Sequence, residues 1–233
     1  MPVVVAIHQP NFLPWLGYFD KVARSDVFVL LDSVQFPRSG HGEWMNRVRL
    51  LVAGEPRWVT VPIRRRGVQE IREVEIADDQ PWRRTVMRTI ESNYRRAPHF
   101  GDVWPLVDEI LTTPTRRLAE LNESGVRTIA RALGLTVTRI VRSSELDVPG
   151  AGSDLLAGLT VAVGGTTYLS GGGADEYQRE DSYAARGVRL EHQRFSHPTY
   201  AQPTPTFEPG LSIVDALMNV GIDGVRVLLE RSR

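Results

Sequence analysis

The chain has 233 residues, a formal net charge of zero from 28 basic and 28 acidic side chains, 42% hydrophobic residues and no cysteine. That length holds one large domain with a sizeable core. The neutral balance gives no reason to expect nucleic acid or an acidic membrane as partner, and the lack of cysteine excludes disulfides, thiolate catalysis and cysteine-ligated metal. Met1-Pro2 leads straight into strand-like sequence, and no apolar run is long enough to span a bilayer, so the expected location is cytoplasmic.

An uninterrupted β-branched run, Val3 to Ile7, opens the chain and passes into His8-Gln9-Pro10-Asn11. Such runs suit strands buried on both faces, as in a parallel sheet. A helix is predicted from Pro14 to Arg24, with Trp15, Tyr18, Phe19 and Val22 at helical spacing. A second buried strand, Val27 to Leu31, ends on Asp32 and must run parallel to the first, because a helix crosses between them. Val48 to Val52 and Arg57 to Ile63 read as a hairpin joined by Ala53-Gly54-Glu55-Pro56, and Ile71 to Ile76 as a short strand.

Helices are predicted from Pro81 to Tyr94, His99 to Leu111 and Thr115 to Leu133, the last stopped by Gly134. Thr136 to Arg142 reads as a strand and Ser153 to Val163 as a helix with Ser153 as its N-cap. Thr166 to Leu169 and Arg189 to Phe195 are the remaining strands, and the tail is helical over Ser212 to Asn219 and Val225 to Arg231. The expected class is α/β, a mainly parallel sheet with an antiparallel extension, forming a single domain over 1–233 with a helical lobe at about 81–134.

In a parallel sheet, polar residues just past the strand ends face the binding crevice. His8, Gln9, Asn11, Asp32 and Gln35 fall there, with Tyr18 on the helix that follows. An imidazole at a strand end can act as acid, base or anion donor near neutral pH. Asp32 can orient it, bind a substrate amine, hold a metal ion or simply cap the next turn. Asn46 and Arg47 precede the third strand, and the Arg47 guanidinium offers a forked donor to a carboxylate or phosphate. Arg64-Arg65-Arg66 cannot all face one ligand and read as a solvated loop. Ser170-Gly171-Gly172-Gly173, with Tyr177 beyond, can turn backbone N–H groups toward an anion. His197, in HPTYAQ, joins the site or locks the C-terminal segment to the sheet. His41, His99 and His192 show no ligand spacing for zinc, and the sequence leaves the cofactor unknown.

The series IHQPNFLPWLGYFDKVARSDVFVLLDSVQF, WMNRVRL and WVTVPI, followed by NYRRAPHF, YLSGGGADEY, HPTYAQ and LSIVDALMNVG, resembles the WbqC-like family over nearly the whole chain. His8, Gln9, Pro10, Pro14, Trp15, Gly17, Asp32, Asn46, Arg47, Gly171, Tyr177, His197, Tyr200 and Gln202 fall on its motif positions. The resemblance implies an association with O-antigen and other surface-polysaccharide gene sets in bacteria. The opening is also similar, more distantly, to Rossmann-like nucleotidylyltransferases. Those enzymes carry His-x-Gly-His where this chain has Trp15-Leu16-Gly17-Tyr18, so the phosphate-binding imidazoles are missing.

The expected activity is a transferase, acyl or aminoacyl in type. It acts on a small amino- or hydroxyl-bearing metabolite such as a nucleotide-sugar precursor. His8 serves as base, Asp32 orients it, and Arg47 with the glycine loop holds an anionic donor. A nucleotidyl- or adenylyl-transferring enzyme and a non-catalytic pathway binding protein are the alternatives.

Overall fold

The computed structural model describes residues 2–37, 43–136, 138–172 and 178–231. Five parallel strands form the central sheet: β1 (Val4–His8), β2 (Val27–Leu30), β7 (Arg139–Arg142), β8 (Thr167–Ser170) and β9 (Arg189–His192). Their order is β7-β2-β1-β8-β9, so the winding runs outward from β1 in one direction and then reverses at β8. This is a Rossmann-like α/β arrangement, and the reversal leaves a crevice beyond the carboxyl ends of β1 and β8.

Alternation along the strands splits the core into two faces. Ala6, Phe28, Leu30 and Leu169 pack on the side of α1 (Leu16–Ala23), and Val5, Ile7, Val27, Val29 and Tyr168 pack on the other, against α5 (Gly152–Ala162) and α6 (Glu180–Ala184). Both faces being covered explains why these strands read as continuous apolar runs rather than alternating ones. Period two also puts His8 on the same face as Ala6, toward α1.

The antiparallel extension is a hairpin of β3 (Arg47–Val52) and β4 (Glu55–Thr60). Its turn is tighter than the four residues expected. Ala53 and Gly54 alone make it, both at positive φ (53° and 80°), and Pro56 lies inside β4 opposite Leu51. Positive φ at both central residues matches the right-handed twist of the flanking strands.

Ile71 to Ile76 is not one strand. Ile71–Glu73 is a 3₁₀ turn, and only Glu75–Ile76 (β6) pairs, with Ile63–Arg64 (β5). The helices α2 (Trp82–Tyr94), α3 (Phe100–Leu111) and α4 (Leu118–Ala132) follow with no strand between them. Gly134 ends α4 region at φ 72°, as expected of a left-handed terminator.

Ser153 is not the cap of α5; Ala151 is, and the Ser153 hydroxyl accepts from the Arg179 N–H (2.9 Å), tying α5 to the start of α6. Helix α6 carried no sequence expectation, being too short for a periodic signal. The tail is α7 (Ile213–Arg231), kinked at Gly221, where φ is 74°. A side chain there would meet the His99 ring at 2.8 Å. Among the described residues no helix is long and apolar enough to cross a membrane.

Candidate functional site

A cavity of about 730 Å³ opens at the crevice between β1 and β8. Its walls come from the end of β1 (Ile7, His8, Gln9, Asn11), from Trp15, Gly17, Tyr18 and Lys21 on the first turns of α1, from Gly171 and Gly172 after β8, and from Gln193, Arg194, Phe195 and His197 after β9, with Trp44, Leu31, Leu156 and Tyr168 closing it. Of the expected residues it unites His8, Gln9, Asn11, Tyr18, Gly171, Gly172 and His197. Tyr177 and Gly173 lie outside the described residues.

His8 is held by a backbone carbonyl, not by a carboxylate. Its Nδ1 lies 3.0 Å from the Gln9 oxygen. A carbonyl can only accept, so Nδ1 carries the proton and Nε2 keeps its lone pair. The ring is wedged against Tyr18 (centroids 4.8 Å apart) and Trp15 (5.7 Å). Burial, reinforced by the charge of Lys21, pushes the His8 pKa down to about 3 against the opposing pull of the Gln9 carbonyl. The imidazole is therefore neutral at physiological pH.

Lys21 was not foreseen. It sits one helical turn after Gly17 and Tyr18, on the face of α1 turned to the sheet, and its ammonium donates to the Ile7 carbonyl (2.9 Å) while only 3% exposed. A Cβ on Gly171 would lie 3.5 Å from the Lys21 Nζ, so the glycine leaves the approach to that cation unobstructed. The available signal was the i, i+3, i+4 spacing of Lys21 from Tyr18 and Gly17, a lysine on an otherwise buried helix face. With Arg194 at the rim, the described lining holds two permanent cations and no Asp or Glu. The first turn of α1, positive end of a helix dipole, opens on the same space.

The Asp32 expectation is corrected. Asp32 is buried, and its carboxylate accepts from the Ser143 hydroxyl (3.0 Å), the Ser144 N–H (2.9 Å) and the Ser144 hydroxyl (2.8 Å). It caps the 3₁₀ turn after β7, on the opposite side of β1 from the cavity, and does not orient His8. Gln35 is exposed in a β-bridge to Glu70. Asn46 donates to the Val61 carbonyl (3.0 Å), while its own carbonyl accepts from the Val61 N–H (2.7 Å), which fastens β3 to the chain after β4. The Arg47 guanidinium stacks 4.4 Å over the Trp58 ring rather than reaching the cavity. Ser170 is fully buried; alternation turns it to the face of Tyr168, away from His8.

The wall after β9 is pinned from two directions. Gln193 donates to the Gly17 carbonyl (2.6 Å) and to the Asp20 carboxylate (2.8 Å), and its own carbonyl accepts from Arg24 (2.7 Å). Farther along, Tyr200 and Gln202 donate to Asp215 at 2.7 and 3.0 Å, and Tyr94 donates to the same carboxylate at 2.8 Å. Burial pushes the Asp215 pKa up, and these three donors work against that rise. The HPTYAQ motif thus divides: Tyr200 and Gln202 anchor the segment, and His197 lines the cavity beside Phe195 (centroids 5.1 Å).

No solved structure matches the chain. The protein is similar to "Uncharacterized protein Rv1507c" of Mycobacterium tuberculosis (strain H37Rv), with 33% identity over 224 residues that cover 94% of each chain. The pattern of the WbqC-like protein family matches residues 9–227, from the end of β1 to the last turns of α7, and so takes in every wall of the cavity beyond Ile7 and His8. The chain belongs to the WbqC-like protein family.

Proposed function

We propose that the cavity binds a small anionic metabolite and that the protein is a biosynthetic transferase, acyl or aminoacyl in type, working on a hydroxyl or amine of that metabolite. The observation that carries this reading is the pairing of a neutral imidazole with the Lys21 ammonium at the sheet's switch point, in a cavity whose described lining has no carboxylate. Lys21 and the first turn of α1 hold the anion. His8 Nε2 takes the acceptor's proton as its oxygen or nitrogen bonds to the acyl carbon, and the leaving group departs with the electron pair of the broken bond.

A base with a pKa near 3 is weak in the empty cavity. An anion beside Lys21 offsets the lysine charge, the smaller of the two causes that depress it, while burial, the larger cause, stays. Adenylyl transfer is less well supported, because Trp15 and Tyr18 occupy the first turn of α1 where that chemistry uses imidazoles. Association with surface-polysaccharide synthesis is an expectation from the family alone.

The test combines binding with turnover. Pyrophosphate should bind the wild type and lose about 10- to 100-fold in affinity in Lys21→Met, the worth of a hydrogen bond to a charged group. A pool of phosphorylated metabolites incubated with acyl donors should yield a product that His8→Ala makes at least about 100-fold more slowly. Pyrophosphate that does not bind, or binds equally to Lys21→Met, overturns the anion reading. Release of pyrophosphate from ATP would move the assignment to adenylyl transfer.

A further inference from the structure

The cavity has a second end that the anion leaves unused. At about 730 Å³ it is the size of a pocket for a drug-sized ligand, many times the size of one phosphate group. Its wall also carries Asn11, Trp15 and Trp44. Asn11 is only 3% exposed as a residue and lines the cavity. Its side-chain amide carries two donors and an acceptor that a bound group can meet.

Trp44 is held to the residue that follows Asn11. The Phe12 N–H donates to the Trp44 carbonyl (3.0 Å), and Asn122 donates both to the Pro10 carbonyl (2.9 Å) and to the Met45 carbonyl (2.7 Å), so the two stretches cannot drift apart. The Trp44 ring packs at 5.0 Å from Trp15 on one side and 5.0 Å from Trp58 on the other. Trp58 is 44% exposed, with Arg47 over it, so the aromatic row runs from the cavity to the surface. A flat ring with a donor-and-acceptor edge satisfies both features at once: its face on indole, its edge on a carboxamide, as Asn and Gln side chains pair with bases elsewhere.

We infer that the anionic ligand is a nucleoside phosphate, with its phosphates toward Lys21 and Gly171 and its base between Asn11 and Trp44. This rests on the anion reading above and adds the ligand's other half. The alternative flat partner, a sugar ring without a base, would use the same indole but leave the amide edge poorly matched.

The experiment is calorimetric titration of the full chain with uridine diphosphate, adenosine diphosphate, pyrophosphate, ribose 5-phosphate and glucose 1-phosphate, followed also by tryptophan fluorescence. At least one nucleoside diphosphate should bind about 10- to 100-fold more tightly than pyrophosphate, the range that base stacking supplies, and quench the tryptophans. In Trp44→Ala that advantage should vanish while pyrophosphate affinity stays as in the wild type; Trp44→Phe, which keeps a stacking ring, should retain part of it. Equal affinity for pyrophosphate and both nucleotides overturns the base subsite and leaves the anion reading standing. Sugar phosphates binding as tightly as nucleotides overturn it in favour of a sugar ring. If pyrophosphate does not bind, the anion reading falls and takes this inference with it. The wild-type ranking alone decides the matter if Trp44→Ala does not fold.

Discussion

Two clefts flank β1 at the same height of the sheet, one lined by charges of both signs and the other, among the described residues, by cations alone. Between β1 and β8 lies the large cavity, with Lys21 and Arg194 facing it and no described carboxylate. Toward β2 and β7 lies a pit of about 30 Å³, little more than one water, lined by Asp32, Glu123, Arg72 and Arg142 among others. There Glu123 accepts from Arg127 (2.8 Å) and Arg142 (2.5 Å), and Asp32 is saturated by two serines. Charged groups that answer one another build structure, whereas the described lining of the larger cleft carries charge of one sign only. The winding of the sheet decides which cleft is which, because only the β1–β8 gap has connections leaving in opposite directions.

The comparison is sharpest at its two strand-end residues. His8→Ala should reduce turnover by about 10²–10⁴-fold with an unchanged melting temperature. A parallel loss of melting temperature would make His8 a packing residue instead. On the other side, Asp32→Ala should cost about 1–3 kcal/mol in denaturant unfolding, through the stranded Ser143 and Ser144 donors, and leave turnover of the folded fraction intact. Activity lost without stability would restore the joint action of both residues.

Acid should act through the cavity side. A His with its folded pKa near 3 and an unfolded value near 6.5 binds fewer protons when folded between those limits. Stability above pH 6.5 is unaffected by this group. It falls by up to about 1.4 kcal/mol per pH unit as pH drops from 6.5 toward 3, then levels off. Urea titrations of His8→Gln should lose that part of the slope; identical slopes in both proteins would show that His8 is not protonation-restricted. A further effect is expected at Gly17. Alanine normally favours a helix, but its Cβ here would sit 2.7 Å from Phe195 and 2.9 Å from Trp15. Gly17→Ala should therefore destabilise by about 1–3 kcal/mol and weaken ligand binding by displacing Phe195. A gain in stability would mean that this wall yields easily.

The contrast between the clefts also explains what could be read beforehand. The parallel strands were legible because burial on both faces leaves unbroken apolar runs, and His8, Gln9 and Asn11 followed from their place at a strand end. Asp32 stands at the same kind of place, but its partners, Ser143 and Ser144, come from a turn more than a hundred residues later. No local pattern separates a carboxylate so satisfied from one left open. Arg47 was similarly ambiguous until the hairpin put Trp58 beneath it. Lys21 was hidden for a different reason: a lysine in a helix reads as a surface residue unless the burial of its face is known. Gln193 and Phe195 were missed because the expected strand ran to Phe195, whereas pairing stops at His192 and frees both for the cavity.

The three donors on Asp215 have a consequence for how the molecule comes into being. The segment bearing Phe195 and His197 is tethered to a helix that starts at Ile213, while the opposite bank of the pocket belongs to the first two dozen residues. A nascent chain emerging from the ribosome can pair its early strands, yet it owns only half a binding site until synthesis has passed position 215. Any metabolite that steadies the finished fold can therefore do so only once α7 has been made, and truncation ahead of α7 removes the anchor of the segment that bears His197.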